Sequence, residues 1–217
     1  MRILTTIIIG CLVQAAAWND AVGQANRDIS SQVRSAAQDR LTEFLNRIPA
    51  GQEASYGFES RREFVDARVG RPYLLFTVDS LDSPAGGGYT IRPLEQWKVA
   101  VNVGGTCRAM LTVEKVAGSM RAVDFGAAVL ARELAEHEQG GDSAQPDVSR
   151  GILRLFDCSC DLLLLYDPAR TLDEAKILPL ASAVRALTQK RLPVANTYTM
   201  SEYLPILARL LTLSKTR

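Results

Sequence analysis

Histidine, cysteine and any excess of charge are what this 217-residue chain has little of. His137 is the only histidine, which excludes a histidine-built metal site and leaves imidazole catalysis one position. Lys and Arg number 25 against 24 Asp and Glu, for a formal net charge of +1. Basic residues form no stripe, so the electrostatic footprint of a nucleic-acid binder is missing. No acidic or basic tail points to a polyelectrolyte partner. No apolar run reaches the roughly 20 residues that a helix needs to cross a bilayer. No fixed-period repeat and no low-complexity segment interrupts the chain.

What is there suits an ordinary folded protein. Hydrophobic residues make up 47% and charged ones 23%. A chain of this length can bury enough apolar surface to fold without metals or cross-links.

The N-terminus reads as an export leader. Met1 and Arg2 supply a short positive start, Ile3 to Val13 is almost unbroken apolar sequence, and Ala15, Ala16 and Ala17 provide small residues of the A-x-A kind. Residues 1–25 are therefore expected to be a signal peptide, cleaved between 17 and 25, ahead of a single α+β domain over 26–217. Ile8-Ile9-Gly10-Cys11 has the look of a lipoprotein cleavage site. The apolar run before Cys11 is very short and continues past it, so lipid anchoring is the secondary reading. The mature chain keeps Cys107, Cys158 and Cys160, and three thiols allow at most one internal disulfide.

From 28 to 48, Ile29, Val33, Ala37, Leu41, Leu45 and Ile48 recur every three or four residues, predicting an amphipathic helix stopped by Pro49 and Gly51. Ser60 and Glu63 fit the capping box of a second, short helix, closed by Gly70 and Pro72. Tyr73 to Val78 reads as a buried strand, and Ser83 to Gly88 as a flexible glycine loop. Trp97, Val99, Val101 and Val103 share a face in one strand; Cys107, Ala109, Leu111 and Val113 share a face in the next.

A two-residue turn at Gly104-Gly105 would pair Val101 with Arg108, setting apolar against polar. A three-residue loop at 103–105 sets Val101 opposite Cys107 and Trp97 opposite Leu111, and is the preferred register. A turn at Ala117-Gly118 leads to a strand from Met120 to Asp124. A helix follows from Ala127 to about His137, with Val129, Leu130 and Leu134 as its buried stripe. Residues 139–149 read as a mobile loop and the best internal boundary.

Ile152 to Asp167 is leucine-rich and strand-like. Straight, it would extend about 50 Å, against a radius of gyration of about 16 Å for a domain of this size. It is expected to bend at the polar stretch Asp157 to Asp161. Helices over 173–189, entered through a turn near Pro179, and over 201–214 finish the chain. Pro205 is tolerable there only in the first turn. The expected fold is α+β: an antiparallel sheet with strands within 73–79, 96–124 and 151–167, covered by helices that include an N-terminal and a C-terminal one.

Three constellations invite chemistry. Cys107 and His137 would serve as nucleophile and base of a thiol hydrolase; with no local signature around Cys107, a buried thiol and a solvated helix-end histidine are the favoured reading. Cys158 and Cys160, two apart on a strand, would point to one face and could bind a soft metal or form a strained disulfide. No second ligand pair accompanies them, which favours two small buried residues. Asp157, Asp161 and Asp167 would share the opposite face as a carboxylate cluster, at a spacing that matches no calcium loop.

Asp124-Phe125-Gly126 repeats the kinase magnesium motif by letter, without the loops that must accompany it. The last helix carries Tyr203, Leu204, Leu207, Leu210 and Leu211 on one side, a pattern that docking on the sheet explains. No catalytic, cofactor-binding or metal-ligating residue is assigned. The leading expectation is a periplasmic or secreted, non-catalytic binding module with a protein or small-molecule partner in the cell envelope, no nucleic-acid partner and no membrane span. The thiol hydrolase and a redox or metal protein centred on Cys158 and Cys160 are the alternatives.

Overall fold

The computed structural model describes residues 28–81, 88–139 and 148–215. The leader with Cys11 lies outside the described residues, as do most of the 83–88 glycine loop and of the 139–149 loop. Among the described residues, eight strands form one sheet: β1 Arg68–Leu81, β2 Gly88–Val103, β3 Thr106–Val116, β4 Ser119–Gly126, β5 Ser149–Leu155, β6 Cys160–Tyr166, β7 Lys176–Pro179 and β8 Tyr198–Thr199. The helices are α1 over 28–47, α2 Ala128–Gln139, α3 Ala181–Gln189 and α4 Met200–Lys215. The fold is α+β, as the sequence pattern indicates.

The strand order is β4-β3-β2-β1-β5-β6-β7-β8. Two meanders meet where β1 lies beside β5, the single parallel pair among the described residues, all other pairs being antiparallel. A parallel neighbour needs a crossover, and the run from β4 through α2 supplies it.

Both faces are covered. Val33, Ala37, Leu41, Leu45 and Ile48 of α1 pack on Val99, Val101, Ala109, Leu111 and Val113. Each large side chain so buried contributes roughly 1.5–3 kcal/mol. On the same face, α3 and α4 cover β5 to β8 through Ala183, Leu187, Tyr203, Leu207 and Leu210. On the other face, Leu130, Ala131, Leu134 and Ala135 of α2 pack on Tyr73, Leu75, Met110 and Ile152. Burial on both sides explains why Leu162 to Leu165 is continuous leucine without alternation.

Several expectations are corrected. The helix at 60–70 shrinks to a 3-10 turn, Arg61–Val65. Gly70 and Pro72, which read as helix stops, belong to β1, where a register irregularity between Val69 and Pro72 accommodates the missing amide. The span 173–189 splits into a 3-10 turn, β7 and a short α3, because Ile177 and Leu178 are buried on opposite sheet faces. The β2 strand begins well before residue 96. Val129 is exposed, the stripe of α2 running instead through Leu130, Ala131, Leu134 and Ala135.

Pro205 falls in the second turn of α4, which starts from a capping box. Thr199 N donates to Glu202 Oε2 (2.7 Å), and Glu202 N donates to Thr199 Oγ1 (3.3 Å).

The β2–β3 turn is the two-residue one, with Gly104 at φ 56° and Gly105 at φ 82°. Val103 pairs with Thr106 and Asn102 with Cys107. One extra residue, Arg108, then restores the apolar match, so that Val101 faces Ala109 and Trp97 faces Val113. Cys107 is thereby turned off the Ala109 face and packs with Met110 under α2.

Candidate functional site

The 152–167 segment does more than bend. It folds back as a hairpin through a 3-10 turn, Phe156–Cys158, followed by Ser159 in the left-handed region at φ 50°, ψ 44°. That single left-handed residue shortens the path between its neighbours and brings Cys158 Sγ to 3.0 Å from Cys160 Sγ. The two cysteines therefore meet through a turn, whereas strand periodicity places them only on one face of an extended segment.

Cys160 is buried and Cys158 half-buried, and both are free thiols. The hydrogen bond between the sulfurs splits their acidity: it lowers the pKa of Cys158 and, together with burial, raises that of Cys160. Cys158 opens on a cleft of about 240 Å³ between α3 and α4, lined also by Ala186, Gln189, Lys190 and Leu210.

The same turn forms one wall of a larger cleft, about 460 Å³, on its other side. Strand β1 pairs with β5 only over Leu74–Phe76 and then runs on with β2 as a ribbon. Thr77, Asp79, Tyr89, Arg92 and Leu94 of that ribbon face Leu155, Phe156 and Asp157 of the turn, and Leu211 of α4 contributes to the lining. Arg92 forms an ion pair with Asp79. Phe156 is 59% exposed and lines the mouth of this cleft.

A polar stripe crosses the sheet on the α2 side. Lys98, only 8% exposed, donates from Nζ to Thr112 Oγ1 (2.6 Å), and Thr112 donates to Asp124 Oδ2 (3.5 Å). Burial lowers the pKa of Lys98, and the charge of Arg154 lowers it further. Arg154 is held differently, by two hydrogen bonds to Asp161 at 2.7 and 2.8 Å. Asp161 N also donates to Ser182 Oγ at the start of α3 (2.9 Å).

Among the described residues no bond joins Cys107 to His137. Cys107 is 7% exposed, donates to the Ala109 carbonyl (3.6 Å) and touches Met110 Sδ (3.7 Å). Burial pushes its thiol up to about 12, leaving it protonated and unsuited to nucleophilic attack. His137 stands in the last turn of α2.

The three aspartates do not cluster: Asp161 pairs with Arg154, Asp167 with Arg170, and Asp157 lines both clefts. No group of three or more His, Cys, Asp or Glu suited to a metal occurs among the described residues. Phe125 of the Asp124-Phe125-Gly126 triplet is structural, its ring stacking 6.1 Å from Phe44, 6.1 Å from Tyr56 and 6.3 Å from Phe58.

Sequence reasoning passed over Phe156, Tyr89, Arg92 and Lys98. A lone Phe ahead of a polar stretch is a weak signal for an exposed aromatic, and the others gain meaning only from long-range pairing. No helix among the described residues is long and apolar enough to cross a membrane. No protein family, curated protein or solved structure matches the chain.

Proposed function

We propose that this protein is an exported component of a bacterial envelope, periplasmic or secreted, that acts as a non-catalytic binding module. The observation that carries the binding half is the cleft between the β1–β2 ribbon and the β5–β6 turn. It combines apolar walls from Val78, Leu94, Leu155 and Leu211 with two aromatic rings and with the charged groups of Asp79, Arg92 and Asp157. Such a mixture suits a ligand with a flat or branched apolar part and a polar head, either a small molecule or a short segment of a protein. The apolar leader at 3–17 supports export.

The binding half is tested by capture from native envelope extracts on immobilised protein, comparing the parent with Phe156→Ser combined with Arg92→Ala. Both side chains are exposed, so the fold should survive. A ligand or partner retained by the parent and lost by the double variant is the expected result. Equal retention by both, or none by either, removes the basis of the reading. For the export half, the intact mass of the chain from its own host should begin between residues 18 and 26; an uncleaved cytosolic chain overturns it.

A further inference from the structure

The two sulfurs at the β5–β6 turn are 3.0 Å apart, about 1 Å more than a disulfide bond. Their surroundings are unequal: Cys160 is 1% exposed, whereas Cys158 opens on the α3–α4 cleft. Beside them, the hydroxyl of fully buried Tyr203 has no hydrogen-bond partner. Tyr203 belongs to the same buried cluster as Cys160, and Cys158 packs against that cluster. A buried polar group left single next to a thiol pair is uncommon in a purely structural core.

We propose that Cys158 and Cys160 are a redox-active dithiol that exchanges with low-molecular-weight disulfides of the glutathione class entering through the α3–α4 cleft. The reaction needs only these sulfurs and that oxidant. The Cys158 thiolate attacks one sulfur of the small disulfide, forms a mixed disulfide and releases one small thiolate, which takes up the proton that Cys158 gave to water. Cys160 then loses its proton and attacks Cys158 Sγ, breaking the mixed disulfide. The second small molecule leaves as a thiolate and is protonated in turn. Two small thiols are produced and the protein pair loses two hydrogens. The inner cysteine resolves what the outer one captures, and the cleft carries one charge of each sign, Asp157 and Lys190, the latter donating to the Leu213 carbonyl. This chemistry is independent of ligand binding on the opposite side of the turn.

The test equilibrates the full chain with mixtures of reduced and oxidised glutathione, quenches it with acid, unfolds and alkylates it, and maps the products by mass. Oxidation should protect Cys158 and Cys160 together, as a peptide lighter by two hydrogens, while Cys107 remains alkylated. Cys160→Ser should trap glutathione on Cys158, and Cys158→Ser should abolish the exchange. Ser159→Val disfavours the left-handed turn and should move the half-oxidation ratio about tenfold toward oxidant. Three alkylated thiols at every ratio in the unsubstituted chain, or glutathione persisting unresolved on its Cys158, would overturn the proposal without any variant having to fold.

Discussion

The β2–β3 and β5–β6 hairpins are built alike and behave differently. Each turns through left-handed residues, places a cysteine at or near the start of its returning strand, and carries a polar cross-strand pair. In the first, two glycines make the turn at no steric cost, and the bulge at Arg108 drives Cys107 inward beneath α2. In the second, Ser159 makes the turn without glycine, and Cys158 stays at the rim with Cys160 beneath it. The polar pairs differ as well. Lys98 has a neutral hydroxyl for its buried ammonium, whereas Arg154 has a carboxylate held by two hydrogen bonds. Turn geometry thus decides whether a thiol becomes packing material or stays within reach of solutes.

The largest effect is expected where the first hairpin is braced from outside. Gly57 has φ 92°, and a Cβ there would come within 2.0 Å of the Arg108 carbonyl oxygen at the bulge. Gly57→Ala therefore combines a left-handed backbone with a backbone clash and should cost about 3 kcal/mol or more. Urea unfolding measures it. A loss under about 1 kcal/mol would mean that the bulge moves freely and is not what sends Cys107 inward.

Next come the two polar pairs, for which opposite signs are expected. Asp161→Ala strands the half-buried Arg154 guanidinium and should cost about 2 kcal/mol, below the figure for a fully buried pair. Lys98→Met removes an ammonium that burial disfavours and should stabilise the protein near neutral pH by about 1 kcal/mol.

The pH dependence follows from the lowered folded-state pKa of Lys98. Between that value and the ordinary lysine value of about 10.4, the unfolded chain binds more protons, so stability rises with pH. The penalty is fully present below the folded pKa and is lifted as pH climbs through the window. The advantage of Lys98→Met should therefore shrink toward alkaline pH. Equal signs for the two substitutions, or a pH-independent gain, would erase the distinction between the hairpins.

The same contrast marks what was legible in the sequence. The stripe Val33, Ala37, Leu41, Leu45 and Ile48 was readable because a helix face needs only local spacing, and the Ala117-Gly118 turn because its chemistry is local too. The bulge was not. Whether one residue is looped out at Arg108 depends on Gly57 approaching it and on Glu59 and Glu63 pairing with its guanidinium, both from distant sequence. Gly70 and Pro72 carried true backbone preferences, but a strand irregularity satisfied them as well as a helix end. Cys158 and Cys160 stood out as unusual, yet the left-handed Ser159 that joins them has no signature. The cleft at Phe156 was invisible, since β1, β2, the β5–β6 turn and α4 build it together.

The smallest expected effect concerns the helix that seals Cys107 under the first hairpin. Val129 and Leu130 are adjacent, and only one belongs to the buried stripe: Val129 is 69% exposed, Leu130 is 7%. Replacing Val129 with Lys should change stability by no more than about 0.5 kcal/mol, since nothing is uncovered and the new charge stays in water. Leu134→Ala on the same helix should cost 2 kcal/mol or more, roughly the low end for a buried leucine. Each variant is also alkylated at Cys107 in its native state. Val129→Lys should leave that thiol protected, while Leu134→Ala should open it to reagent, because α2 is what excludes solvent from it. If the two variants exposed Cys107 equally, the protection would come from the sheet itself, and the first hairpin would hold its thiol as the second holds Cys160.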